Sequence, residues 1–190
     1  MPTLLYIHGF LSSPQSHKAV QVKTWLQQYR ADINYLCPAL SPYPKAAKQT
    51  LLSALATADA PVGVMGSSLG GFWATWLAEQ FDLRAVLINP SVNPMAMFPA
   101  YIGKPIKNYH TQDCYELRDE HLQQLREVDT PSIQRANNYW LFAQTGDEVL
   151  DYRLAEKKYA ACKQTIESGG DHAFQGFERH LSSSIAFLFD

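Results

Sequence analysis

Short apolar runs alternate with helical segments along most of the chain. Thr3–Ile7, Ile33–Leu36, Val62–Met65, Arg84–Ile88, Tyr139–Gln144 and Gln164–Glu167 predict strands, and the most apolar of them suit burial on both faces. Between them, His17–Arg30 predicts a helix whose inward face includes Val20, Trp25, Leu26 and Tyr29. The alanine- and leucine-rich stretch Ala46–Ala58 predicts a second helix, on intrinsic propensity. From Leu69 onward, Leu69, Phe72, Trp73, Trp76 and Leu77 recur at three- and four-residue steps, the spacing of a helix face. Further helices are expected near Tyr152–Cys162 and Glu178–Leu188, the latter burying Leu181, Ile185 and Leu188. Strands separated by helices imply an α/β fold, a parallel sheet covered on both faces.

The rhythm breaks once, over Ser91–Asn138. That stretch opens with Pro94, Met95, Met97, Phe98, Pro99 and Tyr101, then carries a charged helix near Tyr115–Val128. An opening this apolar is not a disordered linker, and an insertion this long in a compact domain is usually functional. We read residues 91–138 as a small cap inserted into a single domain spanning residues 1–190.

Composition narrows the classes. The 190 residues are 46% hydrophobic and 12% aromatic, enough for a sizeable core. A formal charge of −2 gives no electrostatic reason to expect nucleic acid. No apolar run reaches the roughly 18 residues needed to span a bilayer, and no signal peptide precedes the first strand-like segment, so a cytoplasmic protein is expected. Cys37, Cys114 and Cys162 are odd in number and scattered, as for reduced thiols. His17, His110, His121 and His180 share no metal-ligand pattern, and neither metal nor cofactor is expected.

Candidate chemistry centres on Gly66-Ser67-Ser68-Leu69-Gly70, a G-x-S-x-G match directly after a strand and directly before a helix. That is the setting of a nucleophile elbow, with Ser68 at the apex. A phosphate-binding loop is disfavoured, since no Lys-Ser/Thr pair follows the glycines. A serine nucleophile needs a base, and the base needs an orienting carboxylate. Asp147 follows the fifth strand and His172 the sixth, giving the chain order Ser, Asp, His used by α/β-hydrolases. Glu148 and Asp151 are rival carboxylates; Asp147 is preferred because it comes first after the strand, whereas Asp151 suits the start of the next helix. Leu69, the residue after the nucleophile, offers a backbone N–H to an oxyanion hole.

Leu4-Leu5-Tyr6-Ile7-His8-Gly9-Phe10, Gly66–Gly71, Gln144–Arg153 and Gly169–Phe174 together resemble the α/β-hydrolase superfamily, and more narrowly the small bacterial YqiA-type esterases. The resemblance spans almost the whole chain. It implies a truncated six-stranded parallel sheet in the order 2-1-3-4-5-6, and a second oxyanion donor in the N–H of Phe10. It also implies a carboxylesterase with an acyl-Ser68 intermediate, acting on a small-molecule ester or an acyl-CoA thioester. His8 is expected to be a structural, hydrogen-bonding histidine at the pocket edge. Met95, Met97, Phe98 and Tyr101 are candidate substrate contacts if the cap overhangs Ser68. The rival from another class is a non-catalytic hydrolase-fold binding protein, which would be expected to have lost a triad member.

Overall fold

The computed structural model describes residues 1–108 and 113–190; His110 lies outside the described residues. In chain order the main sheet is built from β1 (Thr3–Ile7), β2 (Asn34–Leu36), β3 (Val62–Ser67) and β4 (Arg84–Ile88). Two short strands of the insertion, β5 (Pro105–Lys107) and β6 (Cys114–Glu116), come next, and the main sheet resumes with β7 (Tyr139–Gln144) and β8 (Lys163–Glu167). Among the described residues the main sheet has six strands in the order β2-β1-β3-β4-β7-β8. Every pairing in it is parallel, with Thr3 opposite Val62, Gly63 opposite Arg84, Ala85 opposite Tyr139 and Trp140 opposite Lys163. This is the expected order, with β7 and β8 as its fifth and sixth members.

Alternation along each strand divides the core in two. Leu5, Ile7, Val64, Leu87 and Leu141 face one side, while Leu4, Tyr6, Met65, Val86 and Phe142 face the other. The first side is covered by α2 (Pro44–Thr57), α3 (Leu69–Phe81), the insertion and α6 (Tyr152–Lys158). The second is covered by α1 (His17–Tyr29) and α7 (Leu181–Phe189), the latter entered through a 3₁₀ turn at Phe177–His180. β3 and β4 are buried on both faces along most of their length, which is why they read as nearly continuous apolar runs.

The inward face of α1 differs from expectation. Ala19, Val22 and Leu26 are buried, whereas Val20 and Tyr29 are 41% and 60% exposed. The stripe at positions 19, 22 and 26 keeps helical spacing around a small alanine, and the Tyr35 hydroxyl donates to the Ala19 carbonyl at 2.8 Å. Larger side chains at 20 and 29 fall outside that stripe.

The insertion consists of α4 (Pro94–Met97), a 3₁₀ turn at Phe98–Tyr101, the antiparallel pair β5–β6 and α5 (Asp119–Arg126). Its charged helix is shorter than expected, because Tyr115 belongs to β6. Helical character begins only where Asp119 and Glu120 can face the positive helix end and Leu122 and Leu125 can share a buried face. Tyr43, ahead of α2, stacks on both Tyr115 and His121, with ring centroids 5.8 and 4.7 Å away. Among the described residues no helix is long and apolar enough to cross a membrane.

Candidate active site

The turn between β3 and α3 forces Ser68 into a left-handed backbone, φ 56° and ψ −124°. Few non-glycine residues adopt such a conformation unless their surroundings impose it. Here the Ser68 N–H donates to the Ile88 carbonyl at 3.1 Å, and its own carbonyl accepts from Gly71 and Ser91, each at 2.9 Å. The flanking glycines are required by close approach: a Cβ on Gly66 would collide with the Gly70 carbonyl, and one on Gly70 with the Ile7 carbonyl. Strand, turn and helix therefore fit together only with a bare backbone on either side of the serine.

Ser68, Asp147 and His172 come together. His172 Nε2 lies 3.0 Å from Ser68 Oγ, and His172 Nδ1 lies 2.9 and 3.0 Å from the two oxygens of Asp147. An ionised carboxylate can only accept, so Nδ1 carries the proton and Nε2 is left to accept from the serine hydroxyl. Burial of the Asp147 side chain, only 2% exposed, would by itself raise its pKa. The hydrogen bonds from His172 and from the N–H groups of Leu150 and Val149, at 2.8 and 2.9 Å, outweigh that effect and hold the carboxyl below its ordinary value. The rival carboxylates face elsewhere. Asp151 caps α6 through the Arg153 N–H at 3.0 Å, and Glu148 accepts from the backbone N–H of His172 at 3.0 Å.

Two amides that sequence reasoning did not single out hold the His172 loop. Asn89, just past β4 with φ 40° and buried, donates to the carbonyls of Asp171 and His172 at 2.9 and 3.0 Å. Its Oδ1 accepts the Gln144 N–H at 2.9 Å. The Gln144 side chain, buried at the end of β7, accepts from Asp171 and Gln175 N–H groups and donates to Glu167 and the Gln175 carbonyl. The available signal was an amide at the end of an apolar strand, where a buried polar group needs a partner.

His8-Gly9-Phe10 runs beside Ser68: a Cβ on Gly9 would sit 3.3 Å from Ser68 Cβ. His8 is buried; its Nδ1 donates to the Gly9 carbonyl at 2.9 Å and its Nε2 accepts the Leu40 N–H at 3.0 Å. The ring thus pins the loop, the structural part expected of it. Phe10 and Leu69 line the same cavity as Ser68.

Two cavities meet at Ser68. One is an apolar slot of about 60 Å³ bordered by Pro94, Met97, Phe98, Tyr101 and Leu150. Phe10 packs against Phe98 and Tyr101 there, with ring centroids 5.8 and 5.4 Å apart. The other is a cleft of about 380 Å³ that includes His172 and residues from the start of α1. Of the four expected contacts Met97, Phe98 and Tyr101 border the slot, but Met95 does not. Met95 lines a separate open groove of about 570 Å³ with Asp129, Ile133 and Lys158, because one turn of α4 sends positions 95 and 97 to different sides. Among the described residues no group of three His, Cys, Asp or Glu side chains could hold a metal ion.

A parallel sheet in this order, with a serine elbow after its third strand, is the α/β-hydrolase fold. Solved structures share it: α/β hydrolase domain-containing protein 10 from mouse superposes with a TM-score of 0.73 at 15% identity, covering 99% of this chain and 89% of the mouse chain. Est1E from Butyrivibrio proteoclasticus gives a TM-score of 0.70 at 14% identity, covering 98% and 85%. Within that fold the chain belongs to UPF0227, described as an uncharacterised protein family, whose model matches residues 3–189. A UPF0227 protein of Serratia proteamaculans is 25% identical over 97% of both chains. One from Shewanella woodyi is 32% identical over 54% of this chain, a match spanning 58% of the Shewanella protein.

Proposed function

We propose that this protein is a serine hydrolase acting on carboxylic esters of short acids. The observation that carries the reading is the continuous relay from Ser68 through His172 to Asp147, 3.0 and 2.9 Å long, opening beside an apolar slot. As Ser68 Oγ attacks the ester carbonyl, its proton passes to His172 Nε2, and Asp147 stabilises the resulting imidazolium without taking the proton. The N–H groups of Phe10 and Leu69 receive the developing oxyanion, and the first turn of α3 favours its negative charge. The carbonyl–alkoxy bond then breaks, and His172 hands its proton to the departing oxygen. Water, deprotonated by the same His172, attacks the acyl-Ser68 ester; the acyl–Oγ bond breaks, His172 returns the proton to Ser68 Oγ, and the acid leaves. An acyl thioester would follow the same steps with sulfur as the leaving atom.

The slot defines the acyl side. About 60 Å³ accommodates a chain of roughly two to five carbons, and its apolar walls reward each buried methylene by about 0.8 kcal/mol. Residues 91–138 act as a cap that supplies those walls to a single domain of residues 1–190, and the protein works in the cytoplasm. The test is a fluorophosphonate probe with p-nitrophenyl butyrate as substrate. Wild-type protein should be labelled at Ser68 and turn over the ester. Ser68→Ala should fold, resist labelling and lose turnover by about 10⁶-fold, while Ser67→Ala keeps most activity. A folded wild-type protein that neither labels nor hydrolyses any ester would instead favour a binding protein on a hydrolase scaffold.

A further inference from the structure

The proton held by His172 must reach the departing oxygen, so the leaving group occupies space that His172 borders. His172 borders the cleft of about 380 Å³ and not the apolar slot. The acyl group is therefore assigned to the slot and the leaving group to the His172 end of the cleft; the two cavities share Phe10, Ser68, Met97, Tyr101 and Val149 and differ at their far ends. The cleft ends at the beginning of α1, where Ser12, Ser16, His17 and Lys18 line it.

Lys18 is the informative residue. Its ammonium donates to the Phe174 carbonyl at 3.4 Å and lies 5.1 Å from the centroid of the Phe177 ring. Two acids, Glu178 and Asp171, act to raise its pKa, yet among the described residues its ammonium makes no ion pair. Glu178 accepts from Gln21 at 3.0 Å, and Asp171 accepts from Gln175. Burial pushes the Lys18 pKa down to about 8 in spite of both acids. A partly desolvated cation without an ion pair of its own gains from an anion brought by a ligand.

Building on the serine-hydrolase reading, we infer that the preferred substrate is a short-chain ester whose alcohol half carries an anionic group, a carboxylate or a phosphate, seated against Lys18. The slot selects the acid and the cleft selects the alcohol. A neutral alcohol leaves the ammonium without its ion partner, and a cationic one is repelled.

The experiment compares phenyl butyrate with 3-carboxyphenyl butyrate, each kcat/KM divided by the ester's own alkaline hydrolysis rate to remove leaving-group reactivity. Wild-type protein should favour the carboxylate ester by about tenfold. That ratio should fall to about one in Lys18→Met and persist in Lys18→Arg. Phenyl phosphate and benzoate, tried as competitive inhibitors, then separate a phosphate-bearing from a carboxylate-bearing alcohol. A wild-type ratio near one, or a preference that survives in Lys18→Met, would overturn the inference. If folded wild-type protein hydrolyses neither ester, the hydrolase reading fails on its own. Binding of 3-hydroxybenzoate against phenol, followed by NMR, then decides the cleft. Lys18-dependent binding of the anion supports it, and equal or absent binding overturns it.

Discussion

Replacing Asn89 should loosen His172 from Ser68 without altering Ser68, Asp147 or His172 themselves. The Asn89 side chain satisfies three buried backbone groups: the Asp171 and His172 carbonyls and the Gln144 N–H. A buried hydrogen bond contributes about 1 kcal/mol, and an orphaned partner costs about 1–3 kcal/mol, with water recovering part of the loss. Asn89→Ala also places a β-carbon residue at φ 40°, a conformation asparagine tolerates better than alanine. The sum is about 3–4 kcal/mol, or roughly 6–16 °C in Tm for a chain of this size. Asn89→Gly removes the same side chain but accepts the backbone angle, so the difference between the two variants isolates the conformational part at about 1 kcal/mol. Freed from its two anchors, His172 no longer holds its 3.0 Å contact with Ser68. A misplacement of about 1 Å lowers turnover by about 10²-fold, so kcat should fall on that scale while KM changes little. Denaturation curves beside butyrate-ester kinetics at a temperature where both variants are folded provide the measurement. Wild-type kcat in folded Asn89→Gly would refute the reasoning.

Asp147→Asn should lower kcat by roughly 10⁴-fold with the fold retained, as a wrong-tautomer imidazole implies, while Glu148→Gln should have a much milder effect in the same assay. Met97→Ala, at a position 36% exposed, should alter preference among acetyl, butyryl and hexanoyl esters with little change in Tm; Phe98→Ala, 4% exposed, should in addition cost about 3–5 kcal/mol in denaturant unfolding. Burial opposes ionisation of Glu167, yet hydrogen bonds from Gln144, Arg179 and His180 lower its pKa from 4.5 to about 2. The stability this contributes is present above pH 4.5 and lost as pH falls toward 2, so Glu167→Gln should lower Tm at neutral pH and flatten the acid limb of a Tm-against-pH profile.

The strands were legible because burial on both faces leaves little choice of residue; β1, β4 and β7 run over the ranges that their apolar pattern marks. Ser68, Asp147 and His172 were legible because each lies in the loop that leaves a strand, and strand ends in a parallel sheet share one edge. Where burial is partial, pattern misleads. Val20 and Tyr29 looked like inward positions of α1, but the sheet accepts the smaller Ala19 there. Tyr115 looked helical because the charges around it suit a helix, whereas it pairs antiparallel with Ile106 in a short strand pair that the charge pattern does not reveal. Met95 and Met97 looked equivalent in composition, and only the turn of α4 separates them. Asn89 and Gln144 were harder to single out for a different reason: most of their partners are backbone groups, which carry no side-chain signature.

Ser68 and His172 do not share the same mechanical fate. Ser68 stands after β3, clamped between β1 and β4, whereas His172 follows β8, which among the described residues pairs with β7 alone. An edge strand opens more readily than the centre of a sheet, through local fluctuations well short of global unfolding. The segment expected to open first, in mild denaturant or on warming, is therefore β8 with the His172 loop, ahead of the serine elbow. Under the proposed mechanism, activity lost by that opening alone should return on cooling or dilution, because re-pairing of one strand rebuilds the relay without refolding the core.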